Sequence, residues 1–453
     1  MKPRSLIVLG FLGTILAGAF LLMLSVSSPA HTWMKPFDAL FTACSAVCIT
    51  GLSVIDVGRD LSFFGQCVLL TLVQLGCVGI MTIGTFFLLV VGRRISLASE
   101  FSLMNAYGAS GVKGFRSLVL WVVGSMLVFE SLGAIVLHEC FVSMAEANPS
   151  MSPDSTSWFR AFFYSAMAFC NAGFSRDPNS LAVFQSQPFV LLTMGCLIIL
   201  GGVGFIVLYN LFTIQFWRRN LLKRGRLSLH TRVVLLCTAV LTLLSFIFVL
   251  AVEWNGSLDA YPLKEKLAIG FFQAVTPRTS GFTVVPLHES HAATRFFSEV
   301  MMFVGAAPGG AGGGIKVTTV AVFATTLWAI CRGRRDAVLF RRTIPEVVVR
   351  EAIVIVVVFG AMVALGMTTL LLTESGNEAL TFENLLFETV SAVSTTGLSC
   401  GSTTSELSAA GRVVIMLCMF GGRLGALAIV MLIGGTSEEG IFIRYPREEL
   451  VVG

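Results

Sequence analysis

Residues 45–56 read SAVCITGLSVID, a turn centred on Gly51 with hydroxyls on both sides of it, set between two long apolar stretches. Aligning the chain on Gly51 finds three further copies, AFCNAGFSRD around Gly173, VTPRTSGFTV around Gly281 and AVSTTGLSCG around Gly397, spaced by roughly 110 to 120 residues. The residue after each glycine is Leu52, Phe174, Phe282 or Leu398, and the next is Ser53, Ser175, Thr283 or Ser399. Ten residues upstream of every glycine stands a phenylalanine: Phe41, Phe163, Phe271 or Phe387. Four matches in one register make the chain a fourfold internal repeat.

The sequence around these turns is that of a membrane protein. Of 453 residues, 55% are hydrophobic and 13% charged, and the mean hydropathy of +0.85 lies well outside the range of soluble domains. Apolar runs long enough to span hydrocarbon lie at 5–26, 62–91, 115–137, 184–217, 233–252, 296–330, 347–372 and 411–432. Eight spans put both termini on one side. The loop with Arg93, Arg94, Lys113 and Arg116, the loop with Arg218, Arg219, Lys223, Arg224, Arg226 and Arg232, and the loop with Arg332, Arg334, Arg335, Arg341, Arg342 and Arg350 alternate with segments poor in positive charge. By the positive-inside rule these loops and both termini face the cytoplasm. The net charge of +5 is thus a topology signal, and nucleic-acid binding is not expected. Residues 1–30, with Lys2 and Arg4 ahead of an apolar run and SSPA behind it, have the outline of a cleaved leader, but the run is long and the repeat needs this helix. Eleven cysteines, with no CxxC pair, read as small apolar residues.

Between each phenylalanine and its glycine lie FTACSAV, FYSAMAF, FQAV and FETVSAV, about three turns of helix and too short to cross a bilayer. Each repeat reads as helix, re-entrant half-helix, extended turn, helix. The expected fold is an all-α polytopic protein of eight transmembrane helices and four pore helices around one pseudo-fourfold pore. Its repeats run over residues 1–94, 113–219, 228–335 and 345–435, with a cytoplasmic tail at 436–453. Irregular backbone survives at membrane depth only where protein buries it or where it lines a watery cavity. Four such turns imply one shared axis, around which rings of carbonyl oxygens can replace the hydration shell of a cation. Glycine adopts the left-handed dihedrals this demands, and the negative, C-terminal ends of the half-helices favour a cation. The expected selectivity filter is Thr50 and Gly51, then Asn171, Ala172 and Gly173, then Thr279, Ser280 and Gly281, and finally Thr395, Thr396 and Gly397. The competing reading, that the glycines only let helices pack closely, does not explain four in register.

About 25 residues beyond the turn, three repeats carry GCVG at 76–79, GGVG at 201–204 and GRLG at 422–425, small residues that let helices cross closely. The third repeat has GAAPGGAGGGIK at 305–316 instead, where proline and glycine cannot sustain a straight helix. Arg423 lies 26 residues after Gly397, and the same count from Gly281 reaches Ala307 inside that loop. The expected gate is Gly305, Pro308, Gly309, Gly310, Gly312, Gly313, Gly314 and Lys316, with Arg423 as a barrier or latch beside it; the alternative is that Arg423 pairs with a loop carbonyl and braces the bundle. The glycine run fails the nucleotide P-loop pattern, since Ile315 separates Gly314 from Lys316. Glu130 and Glu299 lie in apolar helices and either guide ions or pair at an interface. His288 and His291 are too few for a metal site, and no constellation of paired carboxylates or Cys/His/Ser supports an enzyme.

These residues resemble the Trk/Ktr/HKT superfamily of K+ transporters over essentially the whole chain, most specifically through RTSGF at 278–282, GGGIK at 312–316, GRLG at 422–425 and the closing YPREELVVG. With eight spans and no extra N-terminal helix pair, the chain looks most like the KtrB-type membrane subunit. The resemblance implies K+ uptake through a filter centred on Gly51, Gly173, Gly281 and Gly397, and a gating loop at 305–316 with Arg423 near it. It also implies a homodimer in the bacterial cytoplasmic membrane, one pore per subunit, seated on a cytosolic nucleotide-binding ring of the KtrA type. Glycine at all four filter positions goes with K+ selectivity in this family, whereas serine in the first loop marks Na+-preferring plant relatives. Two features depart from the family pattern: Pro277 before Arg278, and a gating loop poor in serine and threonine. The expected substrate is K+, with no cofactor in the chain and Na+ as candidate activator. The alternative is a Na+-permeable or H+/Na+-coupled symporter on the same fold.

Overall fold

The computed structural model describes residues 3–79, 115–147, 156–216, 227–334, 336–377, 379–401 and 403–425. The tail at 436–453, and the parts of the expected spans beyond residues 79 and 425, lie outside the described residues.

Every repeat contains a short helix that points its C-terminal end at a glycine turn. Repeat 1 runs α1 (Pro3–Met23), α2 (Pro36–Val47) and α3 (Phe63–Val78). Repeat 2 runs α4 (Phe115–Ala147), α5 (Trp158–Phe169), α6 (Pro188–Val203) and α7 (Phe205–Phe216). Repeat 3 has α8 (Leu229–Glu253), α9 (Leu263–Val275), α10 (Ala292–Phe303) and α11 (Val317–Cys331), and repeat 4 has α12 (Glu346–Thr373), α13 (Phe382–Ser394) and α14 (Ala409–Leu424). A two-residue hairpin, β1 (Val338–Leu339) with β2 (Arg342–Thr343), joins repeats 3 and 4. The starts are written in capping chemistry: the hydroxyls of Ser157, Thr381, Ser62 and Ser408 accept from N–H groups of the first turns of α5, α13, α3 and α14. Among the described residues α4, α8 and α12 are each long and apolar enough to cross a membrane, while α2 and α3 are shorter apolar helices.

Packing is cyclic. The second helix of each repeat lies against the short helix of the next: α3 on α5, α6 on α9, α10 on α13, and α14 on α2. The last pairing closes the ring, and Arg412 of α14 reinforces it by an ion pair with Asp38 of α2 at 3.1 Å. The short helices α2, α5, α9 and α13 are largely buried, with Phe41, Phe163 and Phe387 from the repeated phenylalanine position in the core.

Two of the expected spans are interrupted. The run 296–330 breaks into α10 and α11, as proline and glycine dictate. The run 184–217, expected as one helix, starts at Pro188 and turns by 95° between α6 and α7. The pivot is Gly204, with φ +94°. The helix-breaking partner comes from repeat 3: Ala311 and Ala307 N–H donate to Gly201 O (3.1 Å) and Gly202 O (2.9 Å), and Phe205 N–H donates to Gly309 O (3.1 Å). A straight helix would have used Phe205 N–H and Gly201 O for each other.

Candidate ion pathway

The four turns meet at their glycines. A Cβ placed on Gly173 would lie 2.9 Å from Ser280 O, and one on Gly281 2.5 Å from Thr396 O; on Gly51 it would strike Ala172 O, and on Gly397 Thr50 O. Each glycine thus faces the carbonyl of the residue preceding the next glycine, in the order 1, 2, 3, 4 and back to 1. No side chain fits there, and φ at the four glycines is +92°, +70°, +81° and +87°.

The residue two before each glycine is also left-handed: Ile49 at φ 55°, Asn171 at 57°, Thr279 at 73° and Thr395 at 51°. Such conformations cost about 1–3 kcal/mol each for residues with side chains, and Ile49 is β-branched. Alternation of handedness turns successive carbonyls toward one side, where a strand would alternate them. Buttresses hold the strain. The Ser45 and Ser391 hydroxyls accept from Gly51 N–H (3.0 Å) and Gly397 N–H (3.1 Å). Behind them Gly76, Gly201 and Gly422 press on the carbonyls of Val47, Phe169 and Val393, each four residues before a turn glycine. Next to the glycines, the buried Thr50, Thr279 and Thr395 Oγ1 atoms have no hydrogen-bond partner among the described residues; water or a cation would satisfy them.

On one side of the ring a vestibule of about 420 Å³ is lined by all four glycines together with Asp56, Asp177, Ser399 and Thr404. On the other side sits the 305–316 loop, with Gly312 and Gly313 directly against Thr279 and Thr395. Beyond it a cavity of about 260 Å³ is bordered by Gly309, Lys316 and Arg423. The loop folds back on itself through Gly305 N–H to Ile315 O (3.0 Å) and Ala306 N–H to Gly313 O (3.2 Å), and Lys316 Nζ donates to Gly312 O at 2.7 Å. Pro308 O and Gly310 N lie against Gly204. Arg423 spans the gap: Nη1 donates to Ala311 O and Nη2 to Gly76 O, both at 2.7 Å.

The described residues therefore form a ring of backbone carbonyls with a vestibule on one face and an arginine-held loop on the other. The profile of the cation transport protein family TrkH matches residues 7–440. The chain belongs to this family. It is 34% identical to the Ktr system potassium uptake protein B of Bacillus subtilis, covering 100% of this chain and 97% of the relative. It is 30% identical to the potassium/sodium uptake protein NtpJ of Enterococcus hirae, covering 100% and 98%. The crystal structure of the potassium transporter TrkH from Vibrio parahaemolyticus shares the fold with TM-score 0.74 at 16% identity, over 95% of this chain and 84% of that one. The TrkH family consists of membrane transporters, and these relatives are not enzymes.

Of the sequence-predicted residues, the four glycines meet the carbonyls of Thr50, Ala172, Ser280 and Thr396, Thr279 and Thr395 lie against Gly312 and Gly313 of the loop, and Arg423 pairs with a loop carbonyl, Ala311 O. The Asn171 amide lies away from them, against Ala168 O and Ile198 O. Glu130 accepts from Gln74 Nε2 (2.7 Å) and Cys170 Sγ (3.5 Å), an interface role. Glu299 is half-buried on α10. His291 Nδ1 caps α10, and among the described residues no group of three His, Cys, Asp or Glu could hold a metal. The eleven cysteines are all free thiols. Sequence reasoning missed Ile49, because a β-branched residue argues against the left-handed backbone it adopts.

Proposed function

We propose that the chain is a channel-like K+ uptake transporter of the Ktr/Trk type, with the glycine ring as selectivity filter and the 305–316 loop as intramembrane gate latched by Arg423. The observation that carries this reading is the cyclic approach of each turn glycine to the carbonyl of the neighbouring turn. It supports four convergent oxygen ligands and excludes side chains from the axis. The relatives' names, potassium uptake and potassium/sodium uptake, support the same cargo. Eight spans in four repeats, bounded at 1–94, 113–219, 228–335 and 345–435, sit in the bacterial cytoplasmic membrane, with the vestibule outside and both termini in the cytoplasm; the arginine-rich loops support this orientation. Recognition is by backbone, so the proposal includes no resident cofactor, and Na+ enters as an activating ion. Two copies form the membrane part, and a cytosolic nucleotide-binding ring of the KtrA type controls them, in keeping with relatives named as components of a Ktr system.

A Na+-permeable or H+/Na+-coupled symporter is the second reading, favoured by the potassium/sodium relative. K+ and Na+ flux into proteoliposomes, wild type against Gly281→Ser, decides between them. Selective K+ flux that the substitution relaxes or abolishes supports the filter. Equal K+ and Na+ flux in both proteins refutes it.

A further inference from the structure

The residue following each repeated phenylalanine is Thr42, Tyr164, Phe272 or Glu388. In repeats 2 and 4, which the ring order sets opposite each other, this side chain reaches a serine hydroxyl two residues past the glycine. Tyr164 Oη lies 3.0 Å from Ser175 Oγ, and Ser399 Oγ donates to Glu388 Oε2 at 2.8 Å. A carboxylate stands at both places with different charge balance. Asp177, which accepts from Tyr164 Oη, is gripped by Arg160 Nη2 at 2.6 and 2.8 Å. Glu388 is fully buried, and none of the ion pairs among the described residues includes it. Its second partner is another hydroxyl, Thr404 Oγ1, donating to Oε1.

An ionised carboxylate only accepts, and each hydroxyl owns a single proton. Protons committed to Glu388 leave Ser399 and Thr404 with nothing but lone pairs for any other neighbour. Both residues line the vestibule beside the four glycines, while Glu388 does not. The buried carboxylate therefore converts two groups that could donate or accept into fixed acceptors at the mouth of the path.

We propose that Glu388 is a specificity-determining positioning residue that holds Ser399 and Thr404 with their lone pairs facing the vestibule, where they replace the first hydration waters of an arriving K+. The inference rests on reading the ring as a cation filter. Glu388→Gln keeps the shape but replaces one acceptor by a donor, which turns one hydroxyl proton toward the vestibule. In proteoliposomes holding the full chain, this variant is expected to raise KM for K+ roughly three- to tenfold with Vmax largely kept. The double variant Ser399→Ala/Thr404→Val removes the two oxygens, leaves the carboxylate, and is expected to show the same rise; it carries the test alone where Glu388→Gln does not yield folded protein. Lowered Vmax at unchanged KM would make Glu388 a structural brace and overturn the inference. Gly281→Ser measured alongside separates the two failures. Wild-type selectivity in that variant sinks the filter itself, whereas relaxed selectivity with unchanged KM in the Glu388 and hydroxyl variants sinks only the role of Glu388.

Discussion

Arg423→Gln isolates what holds the glycine loop in place. The guanidinium makes one bond to the loop, at Ala311 O, and one to the end of α3, at Gly76 O, each 2.7 Å. Hydrogen bonds from a charged donor contribute about 1.5–3 kcal/mol each. The bond to Ala311 O ties the guanidinium to the loop, so its loss shifts the balance between loop in and loop out by about that amount, roughly ten- to hundredfold toward the open path. The loop keeps its own ties to Gly201, Gly202 and Phe205, so it is loosened and not unfolded. The assay is K+ flux into proteoliposomes without any cytosolic partner, where the proposed gate is closed in the wild type, and the variant is expected to raise it. Arg423→Lys separates a latch from a charge barrier. Lysine keeps the positive charge but cannot fork across two carbonyls, so a latch gives intermediate flux and a pure barrier gives wild-type flux. Unchanged or reduced flux in Arg423→Gln would refute both.

Two further outcomes follow from the packing. Gly204→Ala places a methyl 2.9 Å from Pro308 O at a φ of +94°, costing about 1–2 kcal/mol in backbone strain alone; it is expected to lower the melting temperature in detergent and to raise basal flux, and an unchanged melting curve counts against the loop seat described above. Arg160→Ala strips the buried partner from Asp177, with an expected loss of about 3–5 kcal/mol, and Asp177→Asn in the same protein should recover part of it. Thermal unfolding that leaves the single and double variants alike would show that the pair is not coupled.

What was legible in the sequence was chiefly what an absent side chain encodes. Gly51, Gly173, Gly281 and Gly397 announced the turns because nothing else fits between neighbouring carbonyls, and the 305–316 run announced a break because its residues cannot make helix. The bend at Gly204 was not legible: GGVG at 201–204 reads as close helix packing, and the hydrogen bonds a straight helix would make there are taken over by a loop a hundred residues later. Residue count placed Arg423 beside the loop but could not single out Ala311 O as its acceptor, since the loop doubles back and depth no longer follows residue count. Glu388 stood beside the repeated Phe387 without being singled out, because its importance lies in two hydroxyls past the turn whose positions only the fold brings to it.

The contact of Gly397 with the carbonyl of Thr50 sets an order of manufacture. The two residues leave the ribosome at opposite ends of synthesis, so the first three turns must wait in the bilayer, their polar backbone unclosed, until the fourth arrives. No shorter nascent chain can hold the complete ring. A product cut anywhere before the last quarter lacks Gly397 and leaves the carbonyl of Thr50 without its neighbour.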